Sequence, residues 1–285
     1  MKTFRYKLIT FSFMIPALVL FTIVMVVPFV QGTVIALTNW NGSSTEMNFV
    51  GLRNLVMLFT IDPNSLSTIG NTLKFTVMSA VTVNVLGLLV AIGMNGKFKG
   101  KEFLRMLMFA PIAASMVIAA FTFTYVFNLI LPKVLNMEKG LLGSRSTVMY
   151  GITLICVWRD TGLAMVIYYA ALKNVPLDLI EAATIDGANA VARFFRITLP
   201  LIAPAITTNV SLWLGWGLKV FEYPYIATQG GPGTSSRTFA IFVYEHAFVA
   251  NRVGYAQMAA FVMLFIIVIC TGSVNALLRR REVEH

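Results

Sequence analysis

Charged residues are scarce in this chain, and their scarcity excludes whole classes of protein. Only 12% of the 285 residues are Asp, Glu, Lys or Arg, against about 25% in soluble globular proteins. A soluble enzyme of this length would have too few charges to cover its surface. The 22 Phe residues and the 58% hydrophobic content exclude intrinsic disorder, because such side chains drive burial. The composition therefore predicts an integral membrane protein.

Side chains that bind metal ions or perform covalent chemistry are also few. The two cysteines, Cys156 and Cys270, lie in separate apolar runs, and the two histidines, His246 and His285, are far apart in the sequence. The sequence has no phosphate-binding loop of the form G-x-x-x-x-G-K-(S/T), and neither a Ser-His-Asp arrangement nor a carboxylate pair is evident. We therefore expect no catalytic residue, no metal site and no ATP site in this chain.

Long apolar runs are what the chain has in abundance. A helix needs about 20 predominantly apolar residues to cross the hydrocarbon core of a bilayer, and six stretches qualify. They are residues 11–37, 69–94, 103–130, 148–172, 201–221 and 255–278. The first run is too long for a signal peptide and has no small-x-small cleavage site, so we expect it to remain as a span. The sequence predicts an all-α integral membrane protein with six transmembrane helices, forming a single domain over residues 1–285.

The net charge of +10 is also typical of nucleic-acid-binding proteins, but the positions of the basic residues favour a different interpretation. Most Lys and Arg residues fall in segments that share one side of the membrane. These positions are Lys2, Arg5, Lys7, Lys97, Lys99, Lys101, Arg105, Lys173, Arg193, Arg196, Arg279, Arg280 and Arg281. Because cytoplasmic loops are enriched in basic residues, the sequence predicts that both termini are cytoplasmic.

The longest predicted cytoplasmic loop, residues 174–204, carries the most specific pattern in the chain. A short helix is predicted around Glu181, and Gly187 allows the positive φ of a sharp change of direction. The amphipathic stretch 188–198 predicts a second helix, and Pro200 and Pro204 mark the return to the membrane. Two short helices at a bend form a projection that can enter a groove on another protein. The alternative is an ordinary amphipathic helix in the membrane interface.

The residues of this loop match a known pattern. The motif E-A-A-x-x-D-G-A at residues 181–188, followed by Phe194, Ile197, Leu199, Pro200 and Pro204, resembles the permease subunits of bacterial binding-protein-dependent ABC importers. The segment F-E-Y-P-Y-I-A-T-Q-G-G-P-G at residues 221–233 is similar to one in the carbohydrate-uptake members, the maltose, glycerol-phosphate and multiple-sugar permeases. The chain lacks the extra N-terminal spans and the large periplasmic insertion of the maltose member. The resemblance implies the type I importer permease fold.

The resemblance also assigns roles to residues and partners. It implies that a coupling helix between spans four and five contacts a cytoplasmic ATPase. The implied coupling residues are Glu181, Ala182, Ala183, Asp186, Gly187, Ala188, Phe194 and Pro200. The implied partners, in the bacterial cytoplasmic membrane and around it, are a second homologous permease, two ATPase subunits that hold ATP and Mg, and an extracellular sugar-binding protein.

The implied function is import of a sugar or oligosaccharide by alternating access, driven by ATP hydrolysis on the partner subunits. One alternative is an ion-coupled secondary transporter of a small solute, which would predict inverted repeats and membrane carboxylates in a proton relay. Another is a membrane enzyme or an assembly factor, which would need a catalytic cluster. Neither set of features is evident.

Polar and aromatic residues at membrane depth are the candidates for a sugar pathway. A charged side chain there costs about 2.5–3.5 kcal/mol on insertion scales, so it needs a partner or water. The candidates are Trp158, Asn209, Trp213, Trp216, Lys219, Glu222, Tyr223 and Tyr225. Lys219 and Glu222 are three residues apart, which would let them pair on one helix, and such a pair has a purely structural interpretation as well. The aromatic residues are equally typical of packing or of the belt at a membrane interface.

Overall fold

The computed structural model describes residues 2–96 and 99–280, with side chains from residue 11 onward. Five basic residues used to predict the topology, Lys2, Arg5, Lys7, Lys97 and Arg281, lie outside the described side chains, as does His285. Within the described residues the regular structure is helical, apart from one isolated bridge between Thr38 and Phe49. This agrees with the all-α fold predicted from the sequence.

Connections of different lengths join the helices, and the longest of them lies between Ala36 and Arg53 in the described residues. The α-helices of the described residues are α1 (Lys2–Phe21), α2 (Val27–Ala36), α3 (Arg53–Thr60), α4 (Ser65–Asn95), α5 (Lys101–Phe109), α6 (Met116–Tyr125), α7 (Leu131–Leu135), α8 (Val148–Lys173), α9 (Leu177–Ile185), α10 (Ala190–Arg193), α11 (Leu199–Leu201), α12 (Ala203–Gly217), α13 (Glu222–Thr228), α14 (Phe239–Tyr244) and α15 (Val253–Arg279). Turns of π-helix lie at Thr22–Val26, Val126–Ile130, Phe194–Thr198 and Glu245–Val249, and a 3₁₀ turn lies at Ala110–Ala113.

Five stretches of helix in the described residues are long and apolar enough to cross a membrane. They are Phe11–Ala36, Ser65–Asn95, Met116–Leu135, Val148–Lys173 and Val253–Arg279. A sixth span is completed by the pair Ala190–Leu201 and Ala203–Gly217, which is bent by 68°. The six predicted spans therefore correspond to five helical stretches and one bent pair.

Two predicted spans have the wrong bounds. The apolar run at 103–130 is interrupted, because α5 ends at Phe109 and α6 begins only at Met116. Pro111 lies in the 3₁₀ turn between them, and Ser115 is extended and accepts a hydrogen bond from Ile118 N as the cap of α6. The run at 201–221 is also not one helix, since the bend lies at residue 202 and α12 ends at Gly217. Apolar content alone does not show where a helix breaks.

The chain divides into two compact units by its internal contacts. The first comprises the residues up to Pro63 together with Phe242–Val262. Inside this unit, the Asn54 amide donates to the carbonyl oxygens of Ala36 and Thr38, both at 2.8 Å. The Tyr255 hydroxyl donates to Asp62 Oδ2 at 3.1 Å. These bonds attach the loop after α2 and the loop before α4 to their neighbours.

The second unit comprises Asn64–Ile241 and the residues from Met263 onward, and α4, α8 and α12 pack together in its core. Small residues allow these helices to approach closely. A Cβ on Gly87 of α4 would lie 2.8 Å from Ala164 Cβ on α8, and one on Gly217 would lie 2.9 Å from Thr76 Cα on α4. The Tyr168 hydroxyl also donates to Asn84 Oδ1 at 2.5 Å, which joins α8 to α4.

Candidate functional site

A cavity of about 210 Å³ lies beside α4, α8, α12 and the start of α13 in the second unit. Five of the eight predicted pathway residues line it: Trp213, Trp216, Lys219, Glu222 and Tyr223. They come together because α12 ends at Gly217 and the chain turns before α13 begins at Glu222. The end of α12, the turn and the start of α13 therefore border the same space.

Two tryptophans, together with Phe75 and Tyr223, form the aromatic part of the cavity wall. The rings of Trp213 and Trp216 meet edge to face, with centroids 4.6 Å apart. Trp213 is 3% exposed, whereas Trp216 is 43% exposed. The buried Nε1 atom of Trp213 has no hydrogen-bond partner among the described residues. An indole N–H without an acceptor is costly when buried, so this group can gain free energy from an oxygen supplied by a bound molecule or by water.

Lys219 and Glu222 are not placed one turn apart on a helix, as the sequence suggested. Lys219 lies in the turn after α12, and Glu222 is the first residue of α13. Both residues are exposed, and the described part of the chain contains no ion pair between them. Their charges are thus available to the cavity rather than paired with each other.

An acidic residue that the sequence prediction omitted is also part of the wall. Asp160 is 3% exposed and lines the cavity on α8. Its Oδ2 accepts a hydrogen bond from the Tyr223 hydroxyl at 2.9 Å, and its Oδ1 accepts one from Arg159 Nη1 at 2.5 Å. The sequence did contain a signal for Asp160, namely its position next to Arg159 inside an apolar run. Charged residues are rare within membrane spans and usually have a function there.

Three predicted pathway residues lie elsewhere. Trp158 packs against Phe123, with ring centroids 5.0 Å apart, and lines a separate apolar groove. Asn209 is fully buried and donates to Ala164 O at 3.2 Å, so it joins α12 to α8. Tyr225 stacks on Phe221 at a centroid distance of 4.7 Å. None of these three lines the cavity.

The segment predicted to couple to a partner consists of two short helices at a bend. Gly187, just after α9, has a φ of +78°. Gly187 N donates to Thr184 O at 3.1 Å and Ala188 N donates to Ala183 O at 2.9 Å, the bonding pattern of a Schellman motif. Asn189 then caps α10 by accepting from Ala192 N at 2.8 Å. The predicted bend at Gly187 is confirmed.

The predicted coupling residues differ in exposure. Glu181, Ala182, Asp186 and Gly187 are exposed, and Ala183, Ala188, Phe194 and Pro200 are half-buried. Three large apolar side chains of α9 are also exposed: Leu177 at 72%, Leu179 at 45% and Ile185 at 86%. An apolar surface of this kind is typical of a site that binds another protein.

Metal ligands do not cluster in the part of the chain that the structure describes. Within it, no group of three or more His, Cys, Asp or Glu side chains is placed to hold a metal ion. The candidate sites among the described residues are the small aromatic and polar cavity and the exposed helical bend.

Known proteins of similar sequence cover almost the whole chain. A family described as "Binding-protein-dependent transport system inner membrane component" matches residues 83–283. The multiple sugar-binding transport system permease protein of Streptococcus mutans is 32% identical over 262 residues, which is 90% of each chain. The probable starch degradation products transport system permease protein of Thermoanaerobacterium thermosulfurigenes is 31% identical over 288 residues, covering 99% of this chain and 98% of the relative.

The fold also has a solved counterpart. The chain is similar to a chain of the bacterial alginate ABC transporter in complex with alginate pentasaccharide-bound periplasmic protein. The TM-score is 0.84 at 20% sequence identity, and the alignment covers 98% of this chain and 96% of the other. At this identity the similarity establishes the fold.

Proposed function

Because the chain belongs to the family of binding-protein-dependent transport system inner membrane components, we propose that it is a permease subunit of an ABC importer for sugars or oligosaccharides. The family predicted from the loop at 174–204 is confirmed by the match over residues 83–283. The named relatives are permeases of sugar transport systems, so the ion-coupled secondary transporter is not favoured.

The observation that carries the sugar assignment is the cavity lined by Trp213, Trp216 and Tyr223. Ligand sites combine apolar and aromatic walls with a few polar groups that fix orientation. Here the aromatic rings offer faces and edges to the C–H surface of a sugar, while Lys219 and Glu222 supply a donor and acceptors for its hydroxyl groups. A volume of about 210 Å³ suits a single sugar ring better than a whole oligosaccharide, so a longer chain would pass one ring at a time.

The chain is proposed to work as one part of a complex in the bacterial cytoplasmic membrane. A second, homologous permease would complete the pathway, and an extracellular binding protein would deliver the sugar. Two cytoplasmic ATPase subunits would hold ATP and Mg and bind the bend at 174–204, with Glu181 at the contact. The exposed apolar residues of α9 and the Schellman bend support this surface.

ATP binding would close the ATPase subunits and move the two coupling segments toward each other. A rigid bend is required for this, because a flexible loop would absorb the movement without passing it to the spans. The helices would then rock from inward-open to outward-open, and hydrolysis would reset them.

The transport assignment is tested in proteoliposomes that contain the complete complex. We expect uptake of a radiolabelled sugar from a panel of maltose, maltotriose and raffinose to require ATP inside, the ATPase subunits and the binding protein. Ionophores that collapse ion gradients should leave the uptake rate unchanged. Uptake by this chain alone under an ion gradient would contradict the proposal.

The cavity is tested with two tryptophans of matched exposure. Trp216→Ala should lower the uptake rate about tenfold, because it removes an aromatic wall of the cavity. Trp158→Ala is the control, since Trp158 is 45% exposed against 43% for Trp216 but lies outside the cavity. Equal losses of uptake in both variants, with equal amounts of assembled complex, would exclude the cavity as the sugar site.

A further inference from the structure

Two oppositely charged residues, Arg159 and Asp160, are neighbours near the middle of α8, within a membrane span. Their side chains are 13% and 4% exposed, and Arg159 Nη1 lies 2.5 Å from Asp160 Oδ1. Charged side chains at membrane depth are costly, and where they occur they usually serve a function. The contacts of this pair indicate what that function is.

The other nitrogens of Arg159 are bound to the backbone of the interrupted third span. Arg159 Nε donates to Ala114 O at 2.9 Å, and Nη2 donates to Ile112 O at 3.3 Å. Both carbonyl groups belong to the connection between α5 and α6. A backbone carbonyl inside a membrane needs a donor from the protein, and Arg159 provides it at this break. All three side-chain nitrogens of Arg159 are thus engaged, and its charge is compensated by Asp160.

Asp160 connects this pair to the cavity. Its Oδ2 accepts from the Tyr223 hydroxyl at 2.9 Å and from Cys156 Sγ at 3.4 Å. Tyr223 is 4% exposed, and both Tyr223 and Asp160 line the cavity. A tyrosine hydroxyl has one proton to donate and lone pairs that accept. Since the proton is committed to a carboxylate, the oxygen can only accept a hydrogen bond from a molecule in the cavity.

We propose that Asp160 is a positioning residue that makes the Tyr223 hydroxyl an obligatory acceptor for a sugar hydroxyl. This inference rests on the proposed function. The ligand class is then narrower than sugars in general: the ring in the cavity must carry a free O–H that donates to Tyr223 Oη. Arg159 donates to Asp160 Oδ1, which leaves Oδ2 to accept from the Tyr223 hydroxyl, and the bonds of Arg159 to the third span hold the carboxylate at hydrogen-bond distance from Tyr223.

The test uses the purified complex with its partner permease and ATPase subunits. Maltose, maltotriose and raffinose are titrated, with tryptophan fluorescence as the signal because Trp213 and Trp216 line the cavity. The tightest-binding sugar is then compared with deoxyfluoro analogues that lose one hydroxyl donor each. For the wild-type complex we expect one analogue to bind about tenfold more weakly than the parent sugar, the effect of a lost hydrogen bond to a buried group.

The variants separate positioning from a merely structural role. Tyr223→Phe should bind the parent sugar and that analogue equally, because the acceptor is gone. Asp160→Asn should reduce the discrimination below about threefold, since an amide can donate to the Tyr223 oxygen and free its proton. The double variant Asp160→Asn with Tyr223→Phe should lose no more sugar affinity than Tyr223→Phe alone. If Asp160→Asn does not assemble because Arg159 is left uncompensated, Arg159→Gln with Asp160→Asn removes both charges and keeps donors and acceptors.

Tyr150→Phe is the matched control, because Tyr150 is on the same helix as Asp160 but 53% exposed and outside the cavity. It should discriminate as the wild type does. Sugar binding with full discrimination in Asp160→Asn, or in Tyr223→Phe, overturns the positioning role alone. A wild-type complex that neither binds nor transports any sugar of the panel overturns the proposed function, and the positioning role with it.

Discussion

Gly187 shows how one residue determines the shape of the predicted coupling segment. Its φ of +78° lies in the left-handed region, and a Cβ built at this position would have no atom within 4 Å. The requirement for glycine is therefore conformational and does not come from crowding. The sequence predicted this residue correctly, because a glycine directly after a short helix is the usual C′ residue of a Schellman motif.

Replacing Gly187 should uncouple ATP hydrolysis from transport, and more so the less readily the new residue adopts a positive φ. Gly187→Val places a β-branched residue in the left-handed region, which costs about 1–2 kcal/mol, and should lower sugar-stimulated ATP hydrolysis several-fold. Gly187→Asn is the control, since asparagine adopts this conformation more readily and should retain most of the activity. The measurement is the ATPase rate of the reconstituted complex with and without loaded binding protein. Full coupling in Gly187→Val would show that the bend is not needed.

Asp160 is the residue-level case in which prediction from sequence failed. Its neighbour Trp158 was selected as a pathway residue, but on α8 the two side chains have different surroundings. Trp158 lines an apolar groove, whereas Asp160 lines the cavity. The difference depends on which elements pack against each side of the helix, and the order of residues along α8 does not contain that information.

At the scale of single elements, α9 carries large apolar side chains that the described residues leave uncovered. Ile185 is 86% exposed and Leu177 is 72% exposed. The helix is only nine residues long, so it depends on its surroundings for stability. The proposed docking of an ATPase subunit would bury this apolar face.

Ile185→Ser should therefore weaken the complex without harming the isolated chain. We expect at least a tenfold loss of ATPase subunits that co-purify with the chain, because burying an isoleucine contributes about 1.5–3 kcal/mol. Val249→Ser is the control, since Val249 is 70% exposed but belongs to a different, predicted extracellular, segment. The thermal unfolding temperature of the chain alone should be unchanged in both variants. Normal co-purification with Ile185→Ser would place the ATPase contact elsewhere.

The interrupted third span shows why element bounds were only partly predictable. Pro16 lies inside α1 without ending it, whereas Pro111 coincides with the break between α5 and α6. The two prolines have the same local effect, the loss of one N–H donor. At Pro111 the break persists because Arg159, distant in the sequence, binds two carbonyl groups of the connection. A local pattern cannot reveal such a partner.

At the scale of the whole molecule, the orientation in the membrane is a prediction from charge. The basic residues of the predicted cytoplasmic segments favour an inside location for both termini. The coupling segment would then face the ATP supply, and residues 38–52 would face the exterior.

Cysteine accessibility tests this orientation. Ser43→Cys and Thr184→Cys place single exposed thiols in the predicted outer and inner segments, respectively. A membrane-impermeant maleimide should label Ser43→Cys in spheroplasts and Thr184→Cys only after permeabilisation. The wild-type chain is the control, because Cys156 is buried and Cys270 is half-buried within the last span, so neither should react. The reverse labelling pattern would invert the topology.

The sequence by itself determined the protein class, four of the six spans to within a few residues, the bend at Gly187 and the family. These properties depend on composition, on apolar length and on short motifs, all of which are local. The tertiary structure decided which polar residues share a cavity. Asp160 and Tyr223 are far apart in the chain, and only the packing of α13 against α6 and α8 brings the hydroxyl within 2.9 Å of the carboxylate. A long apolar helix can be rotated about its axis and still present apolar residues on every side. The sequence pattern therefore does not fix its rotation, which depends on tertiary contacts.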